Sequence, residues 1–154
     1  FNYLTGNVVN FQFGTANQSI VVDLGKEDGL VNNLPVLDEY GLIGKLIKVG
    51  DQTSMAQIIT DKNFRVSIRI GPDRVMGLFI PTHGKYGILE GVRKSASINL
   101  GDIAYTSGVS MIYPANIPVA KIIDISYVDN DPFQNVIVEI LCSLNDLDFI
   151  FISL

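Results

Sequence analysis

Apolar residues recur at every second position through much of the chain, the spacing that turns one face of a β-strand to a core and the other to solvent. Phe64, Val66, Ile68 and Ile70 alternate with Arg65, Ser67 and Arg69. Ile20, Val22 and Leu24 alternate with Ser19, Val21 and Asp23, and Val136, Val138 and Ile140 with Asn135, Ile137 and Glu139. Turn-forming residues cluster between such runs, at 25–29, 38–41, 50–53, 71–74, 82–85, 108–116 and 129–132, where Gly, Pro, Asn and Asp favour chain reversal. About twelve short strands fit between the breaks. Helical spacing is confined to a single turn near Asn145 to Leu147. The pattern predicts an all-β chain.

The pattern also repeats. Gly41-Leu42-Ile43-Gly44-Lys45-Leu46-Ile47-Lys48-Val49 and Ile117-Pro118-Val119-Ala120-Lys121-Ile122-Ile123-Asp124-Ile125 share a mid-strand lysine among aliphatics. Each leads through a polar turn to an aliphatic strand (56–60; 136–141) and then to a last alternating one (64–70; 149–153). The second copy has the longer hairpin, from Tyr127 to Gln134. Two six-stranded units follow, each closed into a barrel so that no strand edge stays exposed. The turn Gly71-Pro72-Asp73 sets the expected division, residues 1–72 and 73–154, and the pattern is compatible with an exchange of terminal strands between the halves. A single sandwich of all the strands satisfies the same count.

Composition narrows the function classes. A chain of 154 residues buries roughly 70% of its unfolded surface without a metal or disulfide staple. With 47% hydrophobic and 18% charged residues and a mean hydropathy of +0.31, it is apolar enough to point to surface that meets a partner. The net charge of −5 argues against gripping nucleic acid, whose phosphates are held by clustered Lys and Arg. Cys142 is the single cysteine, so neither an internal disulfide nor a thiolate zinc cluster can form. No apolar run reaches the 18 or so residues that cross a bilayer. The chain starts at Phe1-Asn2-Tyr3 without a methionine, and the expectation is a fragment with its targeting segment upstream.

The candidate chemistry is thin. His83, Asp102 and Ser107 occur in the chain order of a chymotrypsin-type triad, whose enzyme is also a double six-stranded barrel. That mechanism gathers its residues from both barrels, whereas here 19 and 5 positions separate them. Thr106-Ser107-Gly108 lacks the Asp and the second copy that an aspartic protease needs to share a proton between two carboxylates. Around Gly41 to Lys45, Glu39 and Leu46 stand where a phosphate loop needs Gly and Ser or Thr. Asp129-Asn130-Asp131 lacks the Gly and downstream Glu of a calcium loop. No cofactor or metal is expected. Binding features remain: Asp148-Phe149-Ile150-Phe151-Ile152 is apolar on both faces, so cover is needed outside the barrel, from the sister barrel or another protein. Phe149, Phe151, Tyr113, Phe133 and Tyr86, with Phe79 beside them, are the candidate contact residues.

Several stretches together resemble the periplasmic region of the bacterial rod shape-determining MreC family. They are 24–36 (Leu24-Gly25-Lys26-Glu27-Asp28-Gly29-Leu30-Val31-Asn32-Asn33-Leu34-Pro35-Val36), 41–45 with 49–51, Ile59 to Ser67, Gly87-Ile88-Leu89-Glu90-Gly91, and Leu100-Gly101-Asp102 through Thr106-Ser107-Gly108 to Tyr113-Pro114-Ala115-Asn116-Ile117-Pro118-Val119. The resemblance implies two six-stranded barrels behind a cytoplasmic tail, one membrane helix and a coiled coil. It also implies a non-catalytic scaffold on the periplasmic or outer side of the inner membrane. Such a scaffold dimerises or polymerises and links a class B penicillin-binding protein (the elongation transpeptidase) to MreD, RodA and MreB. The sequence departs from the family at Ala120, where a Gly is usual, and near Ser110-Met111. A degenerate β-barrel hydrolase and a purely structural polymer subunit are the competing readings.

Overall fold

The computed structural model describes residues 2–14, 17–110 and 112–154, so Phe1 and Met111 lie outside the described residues. Twelve strands are present among them: β1 (Tyr3–Phe13), β2 (Gln18–Val22), β3 (Pro35–Leu37), β4 (Leu42–Val49), β5 (Ser54–Ile58), β6 (Val66–Ile70), β7 (Val75–Pro81), β8 (Tyr86–Glu90), β9 (Ile103–Thr106), β10 (Pro118–Ser126), β11 (Asn135–Ile140) and β12 (Phe149–Ser153). The one helical element among the described residues is a 3-10 turn at Lys26–Asp28. The strands form two closed barrels with antiparallel pairing throughout, ordered β1-β12-β3-β4-β5-β2 and β10-β11-β8-β7-β6-β9. The expected all-β architecture of paired six-stranded barrels is therefore what the chain adopts, rather than a single sandwich.

Alternation decides which residues fill each barrel. In the first, Ile20, Val22, Val36, Leu46, Ala56, Ile58, Ile150 and Ile152 are fully buried. In the second, Ile68, Phe79, Ala104, Val119 and Val138 are fully buried, while Ser67 and Arg69 lie on the other face of β6. Burial of the Val, Leu, Ile and Phe side chains among them stabilises by about 1.5–3 kcal/mol each before entropy is counted.

The chain divides differently from the expectation. Residues 1–64 with 142–154 form one compact unit and residues 65–141 the other. The sequence boundary at 72/73 is corrected by β6, which pairs with β7 and β9 in the second barrel. Gly71 to Arg74 is a hairpin, not a linker. Gly71 (φ 62°) and Arg74 (φ 51°) both adopt left-handed backbone, and the Arg74 N–H donates to the Gly71 carbonyl over 3.4 Å. Strong turn chemistry marks a reversal inside a unit as readily as a break between units. Reciprocally β12, the last strand of the second repeat, closes the first barrel between β1 and β3.

The repeat seen in the sequence extends to a shared irregularity. The β4–β5 ladder slips between Leu46 and Lys48, and the β10–β11 ladder slips between Ile122 and Asp124. Ile47 and Ile123, the bulged residues, occupy the same place in the two copies.

Candidate interaction surfaces

The residues that a hydrolase would need are used to hold loops. His83 is exposed in the β7–β8 turn, its ring 5.8 Å from that of Tyr86. Asp102 caps a turn by accepting from the Asn99 N–H at 2.9 Å. Ser107 Oγ sits 3.0 Å from Ser67 Oγ and accepts from the Val109 N–H at 3.2 Å. Thr106, completely buried, donates to the Pro114 carbonyl (2.6 Å) and accepts from the Ile117 N–H (2.9 Å). These bonds span the loop after β9. Gly108 takes φ 77° there, with Ala115 only 2.8 Å from where a Cβ would stand, so glycine is required on two counts. Arg69 braces the same loop: its guanidinium lies 5.1 Å over the Tyr105 ring and bonds Asn116 Oδ1. Among the described residues no group of three or more His, Cys, Asp or Glu is placed to hold a metal.

What the surface offers is apolar. On the first barrel the pairings Thr5–Phe151–Leu37 and Asn7–Phe149 run across β1, β12 and β3, and they share the outward face because Ile150 and Ile152 point inward. Phe149 is 52% exposed and Tyr3 49%. Phe151 is half-buried, edge-on to Phe149 at 5.9 Å and to Tyr3 at 6.3 Å. On the second barrel Ile80, Ile88 and Ile137 stand in one row across β7, β8 and β11, with Phe133 (44% exposed) beside it along a groove. Tyr86 pairs with Glu139 at the next position, where Lys85 contacts both, 3.5 Å from the carboxylate and 5.6 Å from the ring centroid.

The sequence candidates thus separate. Phe149 and Phe151 share one outward face, and Phe133 and Tyr86 flank another. Tyr113 does not belong with them: it is 4% exposed, and burial raises the pKa of its phenol. Phe79 is fully buried in the second barrel. Both stand in or beside the turn-forming runs 82–85 and 108–116, and proximity to a turn does not say which way a ring points. Tyr3, Ile88 and Ile137, which share these outward faces, were missed. Their signal lies in strand register, which makes single apolar residues into rows and which one sequence does not display.

A double barrel in which Thr106, Ser107 and Asp102 are bound up in turns, and whose apolar rows face outward, defines a surface-bearing β-module. Residues 8–153 match the family described as rod shape-determining protein MreC, barrel core. The chain belongs to the MreC family. It is 31% identical to the cell shape-determining protein MreC of Haemophilus influenzae over 136 residues, 88% of this chain and 39% of that protein. Thus the chain spans about two fifths of that relative's length. Its fold is shared with MreC of Pseudomonas aeruginosa (TM-score 0.93, 23% identity, all of both chains). It is shared too with a complex between penicillin-binding protein (PBP2) and MreC from Helicobacter pylori (TM-score 0.76, 20% identity, 99% of this chain and 97% of that one). Among the described residues no helix is long and apolar enough to cross a membrane.

Proposed function

We propose that this chain is a non-enzymatic scaffold module that works outside the inner membrane, binding a class B penicillin-binding protein and further copies of itself. The family is one of cell shape-determining proteins, and the scaffold role is the form of that function which the surface supports. The carrying observation is the outward aromatic face of the first barrel, with Phe149 52% exposed and edge-on to Phe151. Clustered, rigid aromatics of this kind are the usual anchors of protein interfaces. That a relative of the same fold was captured with a penicillin-binding protein supports the choice of partner. MreD, RodA and MreB follow as further members of the assembly on the same reading.

The test is binding of the purified periplasmic part of a class B penicillin-binding protein, followed by calorimetry. The expected result is saturable binding, weakened about tenfold or more by Phe149→Ser with Phe151→Ser, a loss typical of truncating two anchors. Absence of binding at about 0.1 mM, where even a weak interface is populated, overturns the choice of partner.

A further inference from the structure

The net charge of −5 is not shared between the barrels. The unit of residues 1–64 and 142–154 holds nine acidic and four basic side chains. The unit of residues 65–141 holds seven of each, including all four arginines of the chain. Each unit sets two exposed charges of one sign, without an ion pair among the described residues, along one groove. In the first, the groove is lined by Asp38, Glu39, Tyr40, Asp146, Leu147 and Phe149. Tyr40 and Phe149 are 56% and 52% exposed. Asp38 is committed to the framework: its carboxylate accepts from the N–H groups of Tyr40 (2.8 Å), Gly41 (2.9 Å) and Ser143 (2.7 Å), fixing the two loops that form the walls. Glu39 and Asp146 are exposed, and among the described residues no cation pairs with either.

In the second unit, a groove is lined by Arg74, Val75, Met76, Gly91, Arg93 and Ala96. Met76 is 43% exposed, and Arg74 and Arg93 are exposed without an ion pair among the described residues. The wall is rigid here too. Arg93 bridges Phe133, and its carbonyl accepts from Gln134 Nε2 and from the Ala96 N–H, each at 2.9 Å.

The two grooves are complementary in each chemical respect. Two unpaired carboxylates flank exposed aromatic rings on one, and two unpaired guanidiniums flank an exposed thioether on the other. Guanidinium binds carboxylate in a planar fork and stacks on aromatic rings, and a methionine sulfur packs favourably against them. We infer that the acidic aromatic groove of one copy docks on the arginine-methionine groove of a second copy. This inference rests on the self-association in the proposed function and supplies its faces. Because the two surfaces differ, the contact is heterologous: each joined pair keeps one groove of each kind free, and growth continues head to tail.

Two charge-reversed chains test this, Glu39→Arg with Asp146→Arg, and Arg74→Glu with Arg93→Glu. All four sites are exposed, so folding is checked simply by circular dichroism and melting. Sedimentation of the wild-type chain at about 20 mM salt is expected to show mass rising with concentration, and to lose much of that rise at about 0.5 M, where the screening length shrinks to a few ångströms. Each reversed chain alone is expected to associate at least about tenfold more weakly, since attraction becomes repulsion at two pairs. An equal mixture of the two is expected to regain association, because every contact in an alternating chain is again between opposite charges. Wild-type association unaffected by salt or by either reversal, or a mixture without recovery, overturns the assigned faces and leaves self-association standing. A wild-type chain that stays monomeric up to about 1 mM, the range of the weakest measurable contacts, overturns both.

Discussion

Thr106 shows how much of this surface is framework. Its buried hydroxyl serves two loop groups at once, so Thr106→Val leaves a carbonyl and an N–H unsatisfied at nearly constant volume, an expected loss of about 2–3 kcal/mol in urea unfolding. Ser107→Ala removes a half-buried bond to another hydroxyl and is expected to cost under about 1 kcal/mol, with casein and muropeptide turnover no different from the parent chain. Turnover that depends on Ser107 would revive the hydrolase reading. Asp23 clamps β1, its carboxylate accepting from the Asn7 N–H (2.7 Å) and from Asn7 Nδ2 (3.0 Å). Those bonds, the backbone one first, hold its pKa below the ordinary 3.8. A carboxylate depressed in the fold contributes stability that is fully present above its unfolded pKa and lost as pH falls through the folded one. Asp23→Asn should therefore flatten the stability profile below about pH 4, read as melting temperature against pH. Cys142 behaves oppositely: burial, and then the charge of Asp38, raise its thiol pKa, so maleimide should label it only when the first barrel opens. The sequence offers Ser107 as a triad candidate and gives no sign that Thr106 is the buried one, because a motif displays residue type and hides burial.

At the scale of elements, alternation made β6 and β11 legible with their inward faces, since residue type alone reports which side meets a core. The two-faced apolar pattern of β12 was legible as well, and it resolves into Ile150 and Ile152 inside and Phe149 and Phe151 outside. The boundary was not legible, because nothing in Gly71-Pro72-Asp73-Arg74 distinguishes a hairpin from a linker. The departure at Ala120 has a physical reading through the repeat. Gly44, its counterpart in β4, lies so close to β5 that a Cβ would stand 1.8 Å from the Gln57 carbonyl oxygen. In β10, Ala120 sits fully buried between Ala104 and Ile140 with its Cβ accommodated. Gly44→Ala should thus cost about 3 kcal/mol, the upper range for overpacking against backbone that cannot move aside. Ala120→Gly should cost only about 1 kcal/mol in strand entropy and lost contact. Chemical denaturation of the two variants checks the contrast, and equal losses would show that the two β-units do not differ here.

For the whole molecule, the consequence lies in connectivity. The second unit is one continuous segment, residues 65–141, inserted between the two pieces of the first. When that segment is folded, residues 64 and 142 are joined through a fixed body. When it is unfolded, the first barrel must close across a flexible span, at a cost on the order of 4 kcal/mol. The coupling is reciprocal, since each unit gains that closure energy only while the other is folded. A second unit unfolded by Ile68→Ala, at a fully buried site of the second barrel, should leave the first weakened by about that cost, and a first unit unfolded by Ile152→Ala should withdraw the same stabilisation from the second. Hydrogen exchange resolved by segment reads both, and deletion of 142–154 should abolish protection in the first unit while only weakening it in 65–141.

Closure of the first barrel by β12 also sets a timetable for biosynthesis. The strand that completes that barrel is made from the last residues of this chain, 149–153, and its neighbour β1 from the first. As the polypeptide emerges from the ribosome, residues 65–141 can finish folding while β1 to β5 still wait as an open sheet with unpaired edges. A nascent chain stalled before Phe149 would carry one finished barrel and one sticky, incomplete one, the species most in need of a chaperone.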